Sequence, residues 1–182
     1  MRKISILVAA AMLTATGLTA ATPAFAAGQS SEYIDAADAF AARDAMAAKF
    51  GKDTLDPGEF VWDDNATIDS DTRVLVSLSA QKAYVFNGGE LIGATTISSG
   101  ATGHETPIGV FPILEKKTMY HSRKYDNAPM PFMQRIDDYG IALHAGRNPG
   151  FPASHGCIRL PAKFAAKLFK VTAVGSEVII QA

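Results

Sequence analysis

The chain has 182 residues, with 17 Lys and Arg against 18 Asp and Glu, which leaves a formal net charge of -1. That length suits one compact domain plus extensions, and so even a charge balance offers no reason to expect nucleic acid or an anionic membrane surface as partner. A single cysteine, Cys157, excludes a disulfide within the chain.

Met1-Arg2-Lys3 is basic, an apolar run extends from Ile4 to about Ala21, and Ala24-Phe25-Ala26 supplies a small-x-small cleavage pattern. Residues 1–26 therefore read as a secretory signal peptide, with the mature chain beginning near Ala27. The competing reading is a transmembrane anchor. Thr14, Thr16, Gly17 and Thr19 interrupt the run and it is at the short end for a span, so no stable membrane insertion is expected after cleavage. No cysteine follows the run, which excludes lipid attachment at the new N-terminus. The expected location is the periplasm or the extracellular cell envelope, where an unpaired cysteine is either buried or used.

Residues 27–71 read as a helical extension and a linker. Ser30 to Phe50 is Ala-rich, Ser30 or Ser31 can cap a helix, and Tyr33, Ala37, Phe40, Ala47 and Phe50 form an apolar stripe that Gly51 ends. The helix reads as packing or a spacer. Lys52 to Asp71 is rich in Asp, Gly and Pro, the composition of a linker or surface excursion.

From residue 72 to 182 the pattern changes to short β-prone runs: Arg73 to Leu78, Ala83 to Phe86, and Leu91 to Ile97 after the hairpin signal Asn87-Gly88. Gly109 to Glu115 and Gly140 to His144 add further strands, and Glu177 to Gln181 a last one. Pro161 is placed as the first residue of a helix that turns Phe164, Leu168 and Phe169 to the core. The whole predicts a mainly β sandwich or barrel with one helix near its end, preceded by an N-terminal helical extension.

Between the strand ending at His144 and the helix starting at Pro161 lies a Gly/Pro-rich loop that ends in Ser154-His155-Gly156-Cys157-Ile158-Arg159. A lone cysteine is most often a small buried hydrophobe. Zinc ligation by Cys157 with His144 and His155 would lack a fourth ligand and the paired-cysteine spacing of such sites. Here Gly156 frees the backbone beside the thiol and polar groups surround it, unlike a core strand. The arrangement reads as a thiol nucleophile, Cys157, with His144 aimed at it as base.

The string from Ser154 to Arg159, preceded by a histidine that ends an apolar strand, resembles the signature of the L,D-transpeptidase catalytic domain. Thr106-Pro107-Ile108-Gly109-Val110-Phe111 is similar to that family's second recurring segment. The resemblance covers about the last two thirds of the chain, and the loop between His144 and Ser154 is short for the family. It implies a cysteine acyltransferase acting on peptidoglycan stem peptides: Cys157 attacks the carbonyl of the side-chain-linked diamino acid and the terminal D-Ala leaves. Tyr120, His121, Met130 to Met133 and Tyr139 lie in a segment that looks like the family's substrate-cleft wall, so Tyr139, Met130 and Phe132 are candidate substrate contacts beside Arg159 and Ser154.

For such chemistry Cys157 would be partly thiolate beside a protonated His144. His144 would serve as base and then acid, its other ring nitrogen held by the nearest acceptor, the carbonyl of Ala145. Backbone N–H groups of Gly156 and Cys157 would receive the oxyanion, with His155 in direct catalysis or bonding the turn. Arg159 matches a carboxylate bidentately or holds the loop; Ser154 bonds the turn; His104 reads as a solvated loop histidine. No cofactor or metal is called for. The acceptor stays open: an amine on another stem or on a wall-attached protein gives transpeptidation, and water gives a carboxypeptidase. A degenerate wall-binding module and a cysteine peptidase of L-peptides remain as other classes of answer.

Overall fold

A computed structural model describes residues 36–68 and 71–182. The expected signal peptide and the first residues of the predicted helix lie outside the described residues, and no described helix is long and apolar enough to cross a membrane.

The apolar runs become strands whose two faces have different partners. β2 (Thr72–Ser77), β3 (Lys82–Asn87) and β4 (Glu90–Thr96) form an antiparallel meander. β10 (Glu177–Gln181) lies parallel to β2, and β5 (Gly109–Pro112) closes that side. Side chains alternate across a sheet. On β2, Val74 and Val76 enter the main core, while Leu75 faces the other way, into a second cluster with Tyr84, Leu91 and Ala94. Burial on both faces is why this strand is a near-continuous apolar run.

That second cluster is covered by α1 (Ala36–Phe50), which buries Ala42 and Met46. The predicted helix is present, yet Phe40, placed in the apolar stripe, is exposed; the buried face runs through Ala42 and Met46 because the sheet, not the sequence pattern, selects it.

The stretch read as a linker is also ordered. Phe60–Trp62 forms β1, an edge strand paired with β4, and Trp62 meets Phe164 edge to face at 5.4 Å. Asp63 pairs with Lys49 at 2.8 Å and Asp64 with Lys167, so its carboxylates pin it to both helices. The six-stranded sheet has the order β1-β4-β3-β2-β10-β5.

A second sheet, in the order β6-β7-β8-β9, packs across the core: β6 (Glu115–His121), β7 (Pro129–Arg135), β8 (Ala142–Ala145) and β9 (Ile158–Leu160). The run expected as one strand from Gly109 to Glu115 is therefore divided between two sheets, with Ile113 buried at the crossing. α2 (Ala162–Val171) adds Phe164, Ala165 and Leu168 to the core. Pro161 is its extended N-cap rather than its first helical residue. The result is the expected mainly β sandwich with its helix after the cysteine loop.

Candidate active site

β8 and β9 are parallel, with Leu143 opposite Ile158 and His144 opposite Arg159. Leu143 and Ile158 are both fully buried in the main core. Alternation then puts His144 and Arg159 on the opposite face, and Cys157, two residues before Arg159, joins them there. His144 and Cys157 stand one diagonal step apart on the sheet, roughly 8 Å between Cβ atoms. Both line a cleft of about 1000 Å³ whose far wall is the β6–β7 hairpin.

The His144 imidazole is buried, and its Nδ1 lies 2.8 Å from the carbonyl of Ala145. A carbonyl can only accept, so Nδ1 carries the hydrogen and Nε2 keeps its lone pair. Burial holds the His144 pKa below its ordinary value, opposed by the bond to Ala145 and aided by the Arg159 charge. Burial likewise pushes the Cys157 thiol up, against the Ala142 N–H and the Arg159 charge, which favour the thiolate.

Desolvation thus disfavours both charged forms, against the expected thiolate–imidazolium pair. Nor is the thiol bonded to the imidazole. Its sulfur lies 3.8 Å from the carbonyl of Gly140.

The cysteine loop is held by a frame around Ser98 to Thr106. Ser98 and Arg159 exchange backbone hydrogen bonds, each 3.0 Å, and the N–H of Ser154 donates to the carbonyl of Ser99 at 2.9 Å. Thr106 Oγ1 accepts from Gly100 N at 2.9 Å and donates to the carbonyl of Gly156 at 2.8 Å. Gly156 has φ +107°, and a Cβ there would come within 2.5 Å of Ile141 Cδ1. Only glycine fits that turn.

Several predicted roles change. Ser154 is buried; its Oγ donates to the carbonyl of Cys157 at 2.5 Å and accepts from Gly156 N at 3.1 Å. It holds the loop, its one hydroxyl hydrogen committed to the Cys157 carbonyl. The same contact occupies the Gly156 N–H, which is therefore not an oxyanion donor in this arrangement. Among the described residues the Cys157 N–H has no partner.

His155 is exposed and stacks on Tyr125 at 4.3 Å, with its ring edge against His104 at 4.7 Å. It belongs to the rim, away from the sulfur's own contacts, and His104 is part of that stack rather than merely solvated. The Arg159 guanidinium bonds to no loop group; the loop is held by Ser154 and Thr106 instead.

On the far wall, Met130 and Met133 both line the cleft and pack toward Cys157. Three residues apart, they would face opposite sides of a regular strand; Phe132 between them has φ +55°, which breaks the alternation. Phe132 itself packs against Phe169 at 5.9 Å between ring centroids and against the main core. The structure thus corrects its assignment as a substrate contact. Tyr139 lines the cleft and is 82% exposed. Among the described residues no three His, Cys, Asp or Glu side chains converge as metal ligands.

Sequence reasoning missed Ser98, Gly100 and Asp137. Asp137 Oδ1 accepts from Tyr139 N at 3.0 Å and Ile141 N at 2.8 Å, shaping the turn that presents the Gly140 carbonyl to the thiol. An Asp followed by a polar turn ending in Gly was the available signal.

The family model for the L,D-transpeptidase catalytic domain matches residues 71–180. The chain belongs to the L,D-transpeptidase catalytic domain family. Among solved structures it is similar to an L,D-transpeptidase from Stackebrandtia nassauensis, with 26% identity and a TM-score of 0.58, over 62% of this chain and 56% of that one. It also resembles a cysteine-to-serine mutant of the Enterococcus faecium L,D-transpeptidase at 25% identity and a TM-score of 0.55, over 62% and 50% of the two chains. An L,D-transpeptidase 3 from Mycobacterium tuberculosis bearing a faropenem-derived adduct, 20% identical with a TM-score of 0.56, shares the fold over 61% of this chain and 60% of that one. The chain thus spans little more than half the length of the first of these structures. No curated protein sequence matches it.

Proposed function

We propose that this protein is an exported L,D-transpeptidase that forms a thioester between Cys157 and a peptidoglycan stem peptide. The observation that carries the reading is the β8–β9 ladder, which puts His144 and Cys157 on one cleft-lining face with Nδ1 tied to Ala145 and Nε2 free to take a proton. Family membership supports the substrate class.

Burial disfavours both charged forms in the resting cleft, and the proton moves as the substrate arrives. As Cys157 Sγ adds to the scissile carbonyl, its proton passes to His144 Nε2. The Cys157 N–H is positioned to donate to the developing oxyanion, an interaction worth about 3 kcal/mol in comparable acyl transfers. The imidazolium then protonates the departing amine, the C–N bond breaks, and a D-amino acid leaves. An amine attacks the thioester in the second half-reaction, with His144 again taking the proton. The acceptor in this reading is another stem or a wall-attached protein; water in its place would make the enzyme an L,D-carboxypeptidase. No cofactor takes part in this scheme, and residues 1–26 serve as the export signal.

Intact-mass analysis after incubation with a carbapenem tests the first half-reaction: one adduct on the wild type and none on Cys157→Ala. A folded wild type that gains no mass would leave a wall-binding module as the better account. Digests of sacculi treated with the protein would then show new dimers for amine transfer or only shortened stems for hydrolysis.

A further inference from the structure

The β6–β7 hairpin is the far wall of the cleft, yet its own sheet holds it only at the root. β7 pairs with β8 at Gln134 and Arg135; from Met133 outward, among the described residues, its strand partner is β6. A two-stranded ribbon is marginal by itself, so this wall needs support from outside the ladder.

Alternation along the strands supplies it. Glu115, Lys117, Met133 and Arg135 line the cleft, which turns Lys116 and its ladder partner Gln134 to the back. There they meet the end of α2. The last carbonyls of a helix lack partners within it and carry the negative end of its dipole. Lys116 Nζ donates to the carbonyl of Phe169 at 2.8 Å and to that of the C-cap Thr172, and it lies 4.5 Å from the centroid of the Phe169 ring. Beside it, the Thr172 hydroxyl lies between Gln134 Oε1 at 2.6 Å and the Leu168 carbonyl at 2.8 Å. Phe132 packs on the same Phe169 ring. Lys116 is half-buried, and the two carbonyls stand in for the water that its ammonium has lost.

The front of the same hairpin bears on the nucleophile. Cys157 packs against Met130, Met133 and Ala142, and both methionines belong to β7. Burial is the largest influence on the thiol. Cys157 directly precedes β9, α2 follows β9, and Lys116 joins the end of α2 to the wall that faces Cys157. One helix thus braces both sides of the cleft.

Resting on the acyl-transfer reading above, we infer that Lys116 is a positioning residue for that reaction: by tying the hairpin to the C-terminal end of α2, it holds Met130 and Met133 against Cys157 and keeps water from the nucleophile.

The test follows alkylation of Cys157 by iodoacetamide across pH, beside carbapenem acylation resolved into its half-saturating concentration and limiting rate. Lys116→Met keeps a stem over Phe169 and removes both bonds to α2. It is expected to lower the alkylation midpoint by about one pH unit as the thiol regains water, and to raise the half-saturating concentration about fivefold with less effect on the limiting rate. Loss of the Lys116 charge alone would move the thiol the other way. The charged groups around Cys157 are untouched: His144 and Arg159 on the ladder, Asp137 in the turn before it, and Glu115, Lys117 and Arg135 on the wall. Lys116→Arg keeps charged donors and is expected to restore both readings. Met133→Ala is expected to reproduce the shift, and Lys116→Met added to it to move the midpoint little further. Phe169→Leu, which withdraws the ring shared by Lys116 and Phe132, carries the comparison if Lys116→Met does not fold. A lowered melting temperature with a wild-type alkylation profile would overturn the inference and leave Lys116 a stabilising contact only. No carbapenem adduct on the folded wild type would overturn acyl transfer itself, and with it the part of Lys116 in that reaction, whatever the alkylation profile.

Discussion

Thr106 Oγ1 donates to the carbonyl of Gly156 at 2.8 Å, across 50 residues of chain, while accepting from Gly100 N. One buried hydroxyl thereby ties the segment before β5 to the backbone directly preceding the cysteine. Thr106→Val keeps the shape and removes both bonds, leaving Gly100 N–H and Gly156 C=O without this partner. Unfolding free energy is expected to fall by about 1–3 kcal/mol, and carbapenem acylation to slow with it. Thr106→Ser should recover most of both. Wild-type acylation in the valine variant would show that the hydroxyl does not set the loop.

Gly156→Ala is expected to be more damaging to chemistry than to folding. The φ of +107° is costly for any side chain, by about 1–3 kcal/mol, and relief comes from moving the very backbone that carries Cys157. Adding Ile141→Ala removes the 2.5 Å collision but not the torsional cost, so the double variant should stay slow. Recovery of acylation in it would mean that crowding, not conformation, requires the glycine.

The pH dependence follows from two buried groups with opposite shifts. The His144 pKa lies below its ordinary 6.5 because of burial. Under acid conditions the unfolded imidazole takes a proton that the folded one resists, and stability falls as pH drops below that value. The Cys157 pKa lies above its ordinary 9.0, also through burial. As pH rises past 9.0 the unfolded thiol ionises first and stability falls again. Tyr84, pushed up to about 12 by burial under α1, acts in the same direction at still higher pH. Urea midpoints should therefore be highest between these limits, and Cys157→Ala should flatten the alkaline limb near pH 9 while keeping the acid one. Alkylation of the wild type by iodoacetamide should keep rising with pH through 9; a plateau near neutrality would reveal a resting thiolate and refute the upward shift of the thiol.

α1 is expected to behave as part of the domain's packing. Met46 is fully buried against Leu75, Tyr84 and Leu91, and Met46→Ala should cost about 2–5 kcal/mol. A chain shortened to begin at residue 71 would expose that cluster and lose β1 as well, so its melting temperature should drop well below that of a chain beginning at residue 36. Equal melting temperatures would make the helix a mere appendage.

What the sequence disclosed depended on whether a residue's role is local. Val74 to Val76 and Val178 to Ile180 were readable as strands because burial on both faces leaves apolar runs. The β6–β7 hairpin was not: Lys116, Lys117, Pro129 and Pro131 lie in strands whose outer positions meet solvent, so no alternation or apolar run marks them. β1 was hidden in a Pro- and Asp-rich stretch because its pairing partner, β4, is distant in the chain. Cys157 and His144 stood out by chemistry. Ser98, Thr106 and Asp137 did not, since each acts through a backbone group that only folding brings near. The shifts of Cys157 and His144 against their charged forms were equally out of reach, because desolvation is a property of the assembled cleft.

Parallel pairing of β8 with β9 has an effect on how this protein can vary. The ladder itself sets the offset between imidazole and sulfur, whereas residues 146–153 connect the two strand ends and are tied down at Asn148 to Thr96, at Phe151 to Ser98 and at Ala153 to Ser99. Insertions there could change length and composition, and with them the mouth of the cleft, without disturbing the reacting atoms. Between those anchor points the connection is short, so added length there would fall at the mouth of the cleft while the ladder keeps imidazole and sulfur in register.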